Sequence, residues 1–175
     1  IIHKDCRHYI GYKPCNPHKR EGVECKGCPF YEKIGKKILL INLEAIGDVI
    51  RTTALLPALK EKYPGCHITW LSSLKGSEAL KNIDLIDELL IFDLSTSLQL
   101  QNTSFDVLIN LEKDKGVCGL SNLIVASEKF GFGLGLDSHI MTYNKEADYL
   151  LEIGISDKRK LASRKTQQEI IFDIA

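Results

Sequence analysis

The chain has 175 residues, 44% of them hydrophobic, and a formal net charge of zero. That is enough to bury one sizeable α/β core with a small appendage. No run approaches the roughly eighteen apolar residues of a membrane span, and the N-terminus lacks the basic-then-apolar pattern of a signal peptide, so a soluble intracellular protein is expected.

Zero net charge hides an asymmetry. Residues 1–37 hold nine Lys and Arg against four acids, a local charge of +5 that leaves −5 for the remainder. A basic arm on an acidic domain fits an anionic partner, although a solvated surface is the commoner cause of such a bias.

The first 35 residues show no regular pattern. They are rich in Cys, Gly, Pro, Lys and His, with few aliphatic residues to make a core, so they need a staple. Cys6, Cys15, Cys25 and Cys28 follow the spacing C-x8-C-x9-C-x2-C, and "CKGCP" supplies a tight turn that brings two thiolates to one ion. A disulfide pair conflicts with an intracellular setting. Four thiolates suit a tetrahedral structural zinc, which would fold the segment outright. An iron–sulfur cluster is the alternative: Pro29 after Cys28 resembles ferredoxin runs, but the spacing matches neither common ferredoxin pattern. His3, His8 and His18 are candidate replacements for a thiolate. Basic residues interleaved with Tyr9, Tyr12, Phe30 and Tyr31 also allow a nucleic-acid reading, but aromatics in a small metal module ordinarily pack around the metal. Cys66 and Cys118 lie in strand and helix patterns and read as buried free thiols.

From Lys37 onward, strand and helix patterns alternate. "KKILLINL" reads as a strand buried on both faces, followed by a helix from Asp48 to about Tyr63 that Pro57 must kink or break. "CHITWLSS", "ELLIFD" and "FDVLINLE" are further strands, with helices expected at "SEALKNI" and "SLQLQN". "GVCGLSNLIVASE" reads as one helix and "KFGFGL" as a strand-like piece. Such alternation implies right-handed crossovers and a doubly wound, mostly parallel sheet. The chain begins without Met and stops within "TQQEIIFDIA", an amphipathic helix pattern with Ile170, Ile171 and Ile174 on its apolar side, so a piece of a longer protein is expected.

In an open α/β sheet, ligands bind beyond the carboxyl ends of the strands, which draws attention to Glu44-Ala45-Ile46-Gly47-Asp48. One glycine without G-x-G-x-x-G or a Walker lysine gives neither a dinucleotide nor a P-loop fingerprint. Asp48 at a helix start is either an N-cap or an ionised acceptor or base favoured by the helix dipole.

The run "KILLINLEAIGDVIRTTALLPALKEKYPGCHITWL" resembles the opening of glycosyltransferase family nine, the ADP-heptose:lipopolysaccharide heptosyltransferases. The likeness carries the "IGD" turn, "LPAL" and "P-G-x-x-I-x-W-L", and continues more weakly through "FDVLINLE" and "EKFGFGL". It implies the N-terminal, acceptor-side half of a GT-B fold, a Rossmann-like doubly wound sheet over residues 36–175 preceded by a metal-stapled module over 1–35. It further implies an inverting transfer from a nucleotide-sugar donor such as ADP-heptose to a lipopolysaccharide-core or other glycan or lipid-linked acceptor, with no metal at the catalytic site. Asp48 matches the family's general base, and the donor domain lies outside this chain, which alone is expected to be inactive. A cytoplasmic enzyme with peripheral contact at the inner membrane follows. The family often has Arg and Ser near the positions of Asn42 and Glu44, and it lacks the cysteine-rich preface.

Gly47, Glu44, Arg51, Lys113 and Lys115 are the candidate substrate-binding residues, the three cations as partners for acceptor phosphates. Trp70 reads as core and His139 as surface. The opposing reading is a non-catalytic, metal-stapled module that binds anionic lipid or nucleic acid.

Overall fold

The "KILLI" run forms the central strand because aliphatic side chains alternate to opposite faces with period two. Ile38 and Leu40 join one apolar cluster, Leu39 and Ile41 another, and all four are fully buried. The computed structural model describes residues 1–175. In chain order its elements are α1 (Asn16–Glu21), β1 (Lys37–Ile41), α2 (Ile46–Thr52), α3 (Leu55–Lys62), β2 (His67–Ser72), α4 (Leu74–Leu80), β3 (Glu88–Ile91) and α5 (Leu94–Gln101). There follow β4 (Ser104–Asn110), α6 (Lys115–Leu123), β5 (Val125–Leu134), β6 (Ile140–Thr142), α7 (Lys145–Ile155), α8 (Asp157–Ala162) and α9 (Gln167–Ile174). No helix is long and apolar enough to cross a membrane.

The six strands run in the order β3-β2-β1-β4-β5-β6, parallel from β3 through β5, with β6 antiparallel at the edge. Residues of α2, α3, α4 and α9 pack with Trp70 on one face, while residues of α5 and α6 cover the other. This is the doubly wound, mostly parallel sheet that the alternation of patterns implied, and the Rossmann-like form that the resemblance implied. Gly131 at φ 88 fixes the approach of β5 to β4, because a Cβ there would strike the Asn110 carbonyl.

Three details differ from the expectation. The helix after β1 breaks at Thr53–Ala54 and restarts as α3, with Pro57 in its first turn, where a missing N–H costs nothing. "VASE" belongs to β5 rather than to α6: the helix ends at Leu123, and its C-cap, Ile124, already takes extended dihedrals. The N-terminal arm contains a short helix, α1, started by Pro17 and closed by Gly22 in the left-handed conformation.

The arm is latched to the opposite end of the sheet from the loops after β1 and β4. Arg7 donates to the carbonyls of Gly65 (3.1 Å) and Cys66 (3.2 Å) and pairs with Asp87, just before β3. Its Nε lies 2.9 Å from Glu32. Asp87 also accepts from Lys60 Nζ at 2.6 Å and from the Ile68 N–H at 2.8 Å. Burial opposes ionisation of Asp87, but these hydrogen bonds and the Lys60 and Arg7 charges outweigh it and hold its pKa below the ordinary carboxylate value. A carboxylate depressed on folding contributes stability that is fully present above its unfolded pKa and is lost as pH falls through the folded one.

Replacing Asp87 with Asn leaves Arg7 and Lys60 facing each other without their carboxylate. It should cost roughly 2 to 3 kcal/mol in urea denaturation, below the full cost of a deeply buried pair because some solvent reaches the group. Amide exchange over residues 1–36 should accelerate at the same time. An unchanged midpoint with arm amides still protected would rule out the latch.

Candidate functional site

The strand order reverses between β1 and β4, which lie side by side with Ile41 opposite Asn110. The chain leaves β1 toward the face covered by α2 and leaves β4 toward the face covered by α6. The two departing loops therefore part at the carboxyl ends of the strands, and the space between them is the usual ligand crevice of such a sheet. A cavity of about 200 Å³ lies there, lined by Asn42, Glu44, Asp48, Glu112, Lys113 and Gln167 among others.

Asp48 is not an N-cap. Ala45 holds that position at φ 57, ψ 86, a left-handed conformation unusual for a residue with a Cβ, and no side chain caps the helix. The Asp48 N–H donates to the Ala45 carbonyl at 2.7 Å, which places Asp48 third in α2 and leaves its carboxylate free of backbone duty. That carboxylate is partly exposed and accepts from Arg51 Nη1 at 2.5 Å, one turn along the helix. Gly47 stands beside it, and a Cβ there would meet only the Arg51 guanidinium, at ordinary contact distance.

Glu112 holds the crevice together. It follows β4 by two residues and reaches across to accept from the Leu43 N–H (3.0 Å) and the Glu44 N–H (3.2 Å) in the loop after β1. Its other oxygen accepts from the Lys113 N–H at 3.1 Å. One carboxylate thus satisfies three loop amides that have left the strand ladders. Asn42 forms the buried floor: its side chain donates to Thr52 at 2.9 Å, and its carbonyl accepts from the Trp70 indole at 3.2 Å.

The expected substrate-binding residues separate into two groups. Glu44 and Lys113 line the cavity with Asp48, whereas Lys115 begins α6 on the exposed surface outside it and Arg51 reaches it only through Asp48. Burial lowers the Lys113 pKa from the ordinary lysine value, opposed by the charges of Glu112 and Asp48. Its ammonium lies 5.1 Å from the Phe132 ring centre. Trp70 is fully buried core. His139 is exposed and paired with Asp137 at 3.2 Å.

Sequence reasoning missed Glu112, Gln167, Leu150 and Ile171 in this lining. Glu112 had a usable signal, being a carboxylate just past a strand's carboxyl end, the same rule that singled out the turn after β1. Gln167 and Ile171 come from α9, and nothing in their local pattern connects them to the crevice.

At the other end of the molecule, Cys6, Cys15, Cys25 and Cys28 line one cavity together with His3, His8 and His18. All four are half-buried free thiols. As arranged, no three donors stand close enough to share one ion.

The fold and crevice define a Rossmann-like α/β domain with a carboxylate at its switch point. No protein-family model matches the chain. It is 31% identical over 113 residues to the lipopolysaccharide core heptosyltransferase OpsX of Haemophilus influenzae, an alignment that covers 60% of this chain and 32% of that protein. Among solved structures, E. coli heptosyltransferase WaaC with ADP superposes at a TM-score of 0.51 and 12% identity, covering 78% of this chain and 44% of that one, a likeness of fold. A glycosyl transferase family 9 structure from Veillonella parvula matches at 27% identity and a TM-score of 0.48, over 54% of this chain and 31% of that one. The chain is therefore similar in sequence to a lipopolysaccharide core heptosyltransferase, and it spans about a third of the length of that curated relative.

Truncating Glu112 to Ala should strip the loop amides of their acceptor. The expected cost is about 1 to 2 kcal/mol, a fall of roughly 3 to 6 °C in thermal midpoint, with faster hydrogen exchange at Leu43 and Glu44. Unaltered exchange at those two amides would show that the loop is held by something else.

Proposed function

We propose that this chain is the acceptor-side domain of a heptosyltransferase-like, inverting glycosyltransferase, and that Asp48 is its general base. The observation that carries the reading is the placement of Asp48: a carboxylate without a capping role at the switch-point crevice, in the stretch that resembles the heptosyltransferases. In the proposed reaction, an acceptor hydroxyl oxygen attacks the anomeric carbon of a nucleotide sugar. Its proton passes to the Asp48 carboxylate as the new C–O bond forms, and the nucleoside diphosphate leaves with the electron pair of the broken bond. One displacement inverts the anomeric centre, and a single base in the right place is all that the acceptor side must supply.

The neighbouring residues take supporting parts in this scheme. Arg51 orients the Asp48 carboxylate, Glu112 sets the loop that carries Glu44, and the Lys113 ammonium offers a contact to an anionic group of the acceptor. Glu44 and the open backbone at Gly47 face the incoming sugar. The donor, ADP-heptose or a similar nucleotide sugar, would be held by a second domain of the full-length enzyme, so the chain alone should not turn over. A lipopolysaccharide-core or related lipid-linked glycan as acceptor places the enzyme in the cytoplasm, at the inner-membrane surface.

In the full-length protein, Asp48→Asn should lower kcat by about 10² to 10⁴-fold, the usual worth of a positioned base. Stability should stay within about 1 kcal/mol, because an exposed ion pair contributes little, and donor affinity should be retained. Turnover within a few-fold of the parent enzyme would remove Asp48 from the chemistry.

A further inference from the structure

The arm that precedes the sheet is folded without a core. None of residues 1–36 is buried, and the only regular structure is the six-residue α1 and an isolated bridge between Cys6 and Lys33. A segment of that size does not hold its shape by burying apolar surface. It nevertheless closes around a cavity of about 320 Å³, and all four of its cysteines line that cavity.

Each thiol is presented by a distinct local device. Cys6 sits in the bridge to Lys33, and Cys15 occupies the N-cap position of α1. Cys25 and Cys28 flank a tight turn in which the Cys28 N–H donates to the Cys25 carbonyl at 3.3 Å and Gly27 takes φ 72. Two thiols from one turn and two from separate segments, all lining one cavity, match the way a small four-thiolate site draws its ligands.

We propose that Cys6, Cys15, Cys25 and Cys28, as thiolates, hold a metal centre that replaces the missing core of the arm. Structural zinc and an iron–sulfur cluster are the two occupants that share this ligand chemistry. The thiols are not at ligating distance from one another as they stand, so the centre forms only as the segments that line the cavity draw their sulfurs together. Each releases its proton to solvent as its sulfur–metal bond forms, so binding is coupled to the ordering of the arm. His18 lines the same cavity, but its Nδ1 is engaged 2.9 Å from the Val23 carbonyl, and it is not needed to complete four ligands.

The position of the centre assigns it a structural part. The Arg7–Asp87 latch ties the arm to the end of the sheet where β2 and β3 begin, whereas Asp48 lies past the end of β1. The five residues of β1 separate the two ends, about 16 Å at the usual rise per residue. The centre is therefore a staple at the end of the sheet away from the crevice.

The test is elemental analysis, acid-labile sulfide and a visible spectrum on the full chain purified without oxygen, alongside native-state alkylation read residue by residue. Two positive results are distinguishable: about one zinc per chain in a colourless protein, or iron with sulfide in a brown one. In either case Cys6, Cys15, Cys25 and Cys28 should alkylate at least about tenfold more slowly than free thiols of equal exposure. The metal should be lost from the Cys25→Ser/Cys28→Ser variant and retained by His18→Asn. A metal-free chain whose four arm thiols react at the free rate would overturn the proposal, and this readout needs no variant to fold. Metal retained after the double substitution, or lost with His18→Asn, would overturn the four-thiolate ligand set.

Discussion

Burial of β1 on both faces sets the terms for everything else in this molecule. A strand with Ile38 and Leu40 on one side and Leu39 and Ile41 on the other must be covered by helices on both. Right-handed crossovers carry the chain outward through β2 and β3 along one face, so the second half must return to β1 and build from its other edge. The reversal sends the loops after β1 and β4 to opposite faces, and they cannot close over the gap between them. The crevice that holds Asp48 follows from the central strand's composition before any catalytic residue is considered.

A parallel sheet also divides its two ends by role. The loops that follow the five parallel strands lie at one end, where Glu44, Asp48, Glu112 and Lys113 gather. The other end receives the connections that return to start a strand, and there Asp87 binds Arg7, Lys60 and the Ile68 amide. The latch pairs one carboxylate with two cations in a place where solvent is largely excluded, so it is selective about which segment may dock there. An arm with no core of its own gains a fixed position from this contact, while the crevice end stays open.

The strands were legible because their aliphatic runs are short, dense and bounded, and the order of patterns specified the doubly wound sheet. Helix edges were less so. The run "LIVASE" has no periodicity that separates a helix end from a strand start, and the competition was decided by pairing of Val125 and Ala126 with β4, a long-range contact. The local pattern left Asp48 open between a cap and a free carboxylate, because aspartate at a helix start is ordinarily a cap and the left-handed turn at Ala45 that begins the helix earlier carries no glycine to announce it. Glu112 reaches amides about seventy residues away in sequence, and Arg7 reaches Asp87 across a longer span still. Such partners are fixed by the folded topology, and the local pattern around each is silent about the other. The cysteine spacing pointed to one shared centre; the four thiols line one cavity, but no three donors there stand close enough to share an ion.

Among the helices that start without a side-chain cap, α1, α2, α3 and α7, α2 alone begins from a residue in the left-handed conformation. Ser73, Asp93, Asp114, Ser156 and Thr166 each cap a helix with a side-chain acceptor, a contribution of about 1 kcal/mol apiece. At α2 that contribution is absent, and Ala45 adds a left-handed conformation that costs roughly another 1 kcal/mol. A carboxylate is available two residues on from the first helical position, yet it turns away from the backbone and pairs with Arg51 in solvent, which stabilises the fold by little. Stability alone gives no account of this arrangement. Local strain, a forgone cap and an exposed carboxylate collected over a crevice are what a fold shows where a position is shaped by a ligand. These features fall in the stretch that resembles the heptosyltransferases, so the physical oddity of the turn and the sequence likeness both support the part proposed for Asp48.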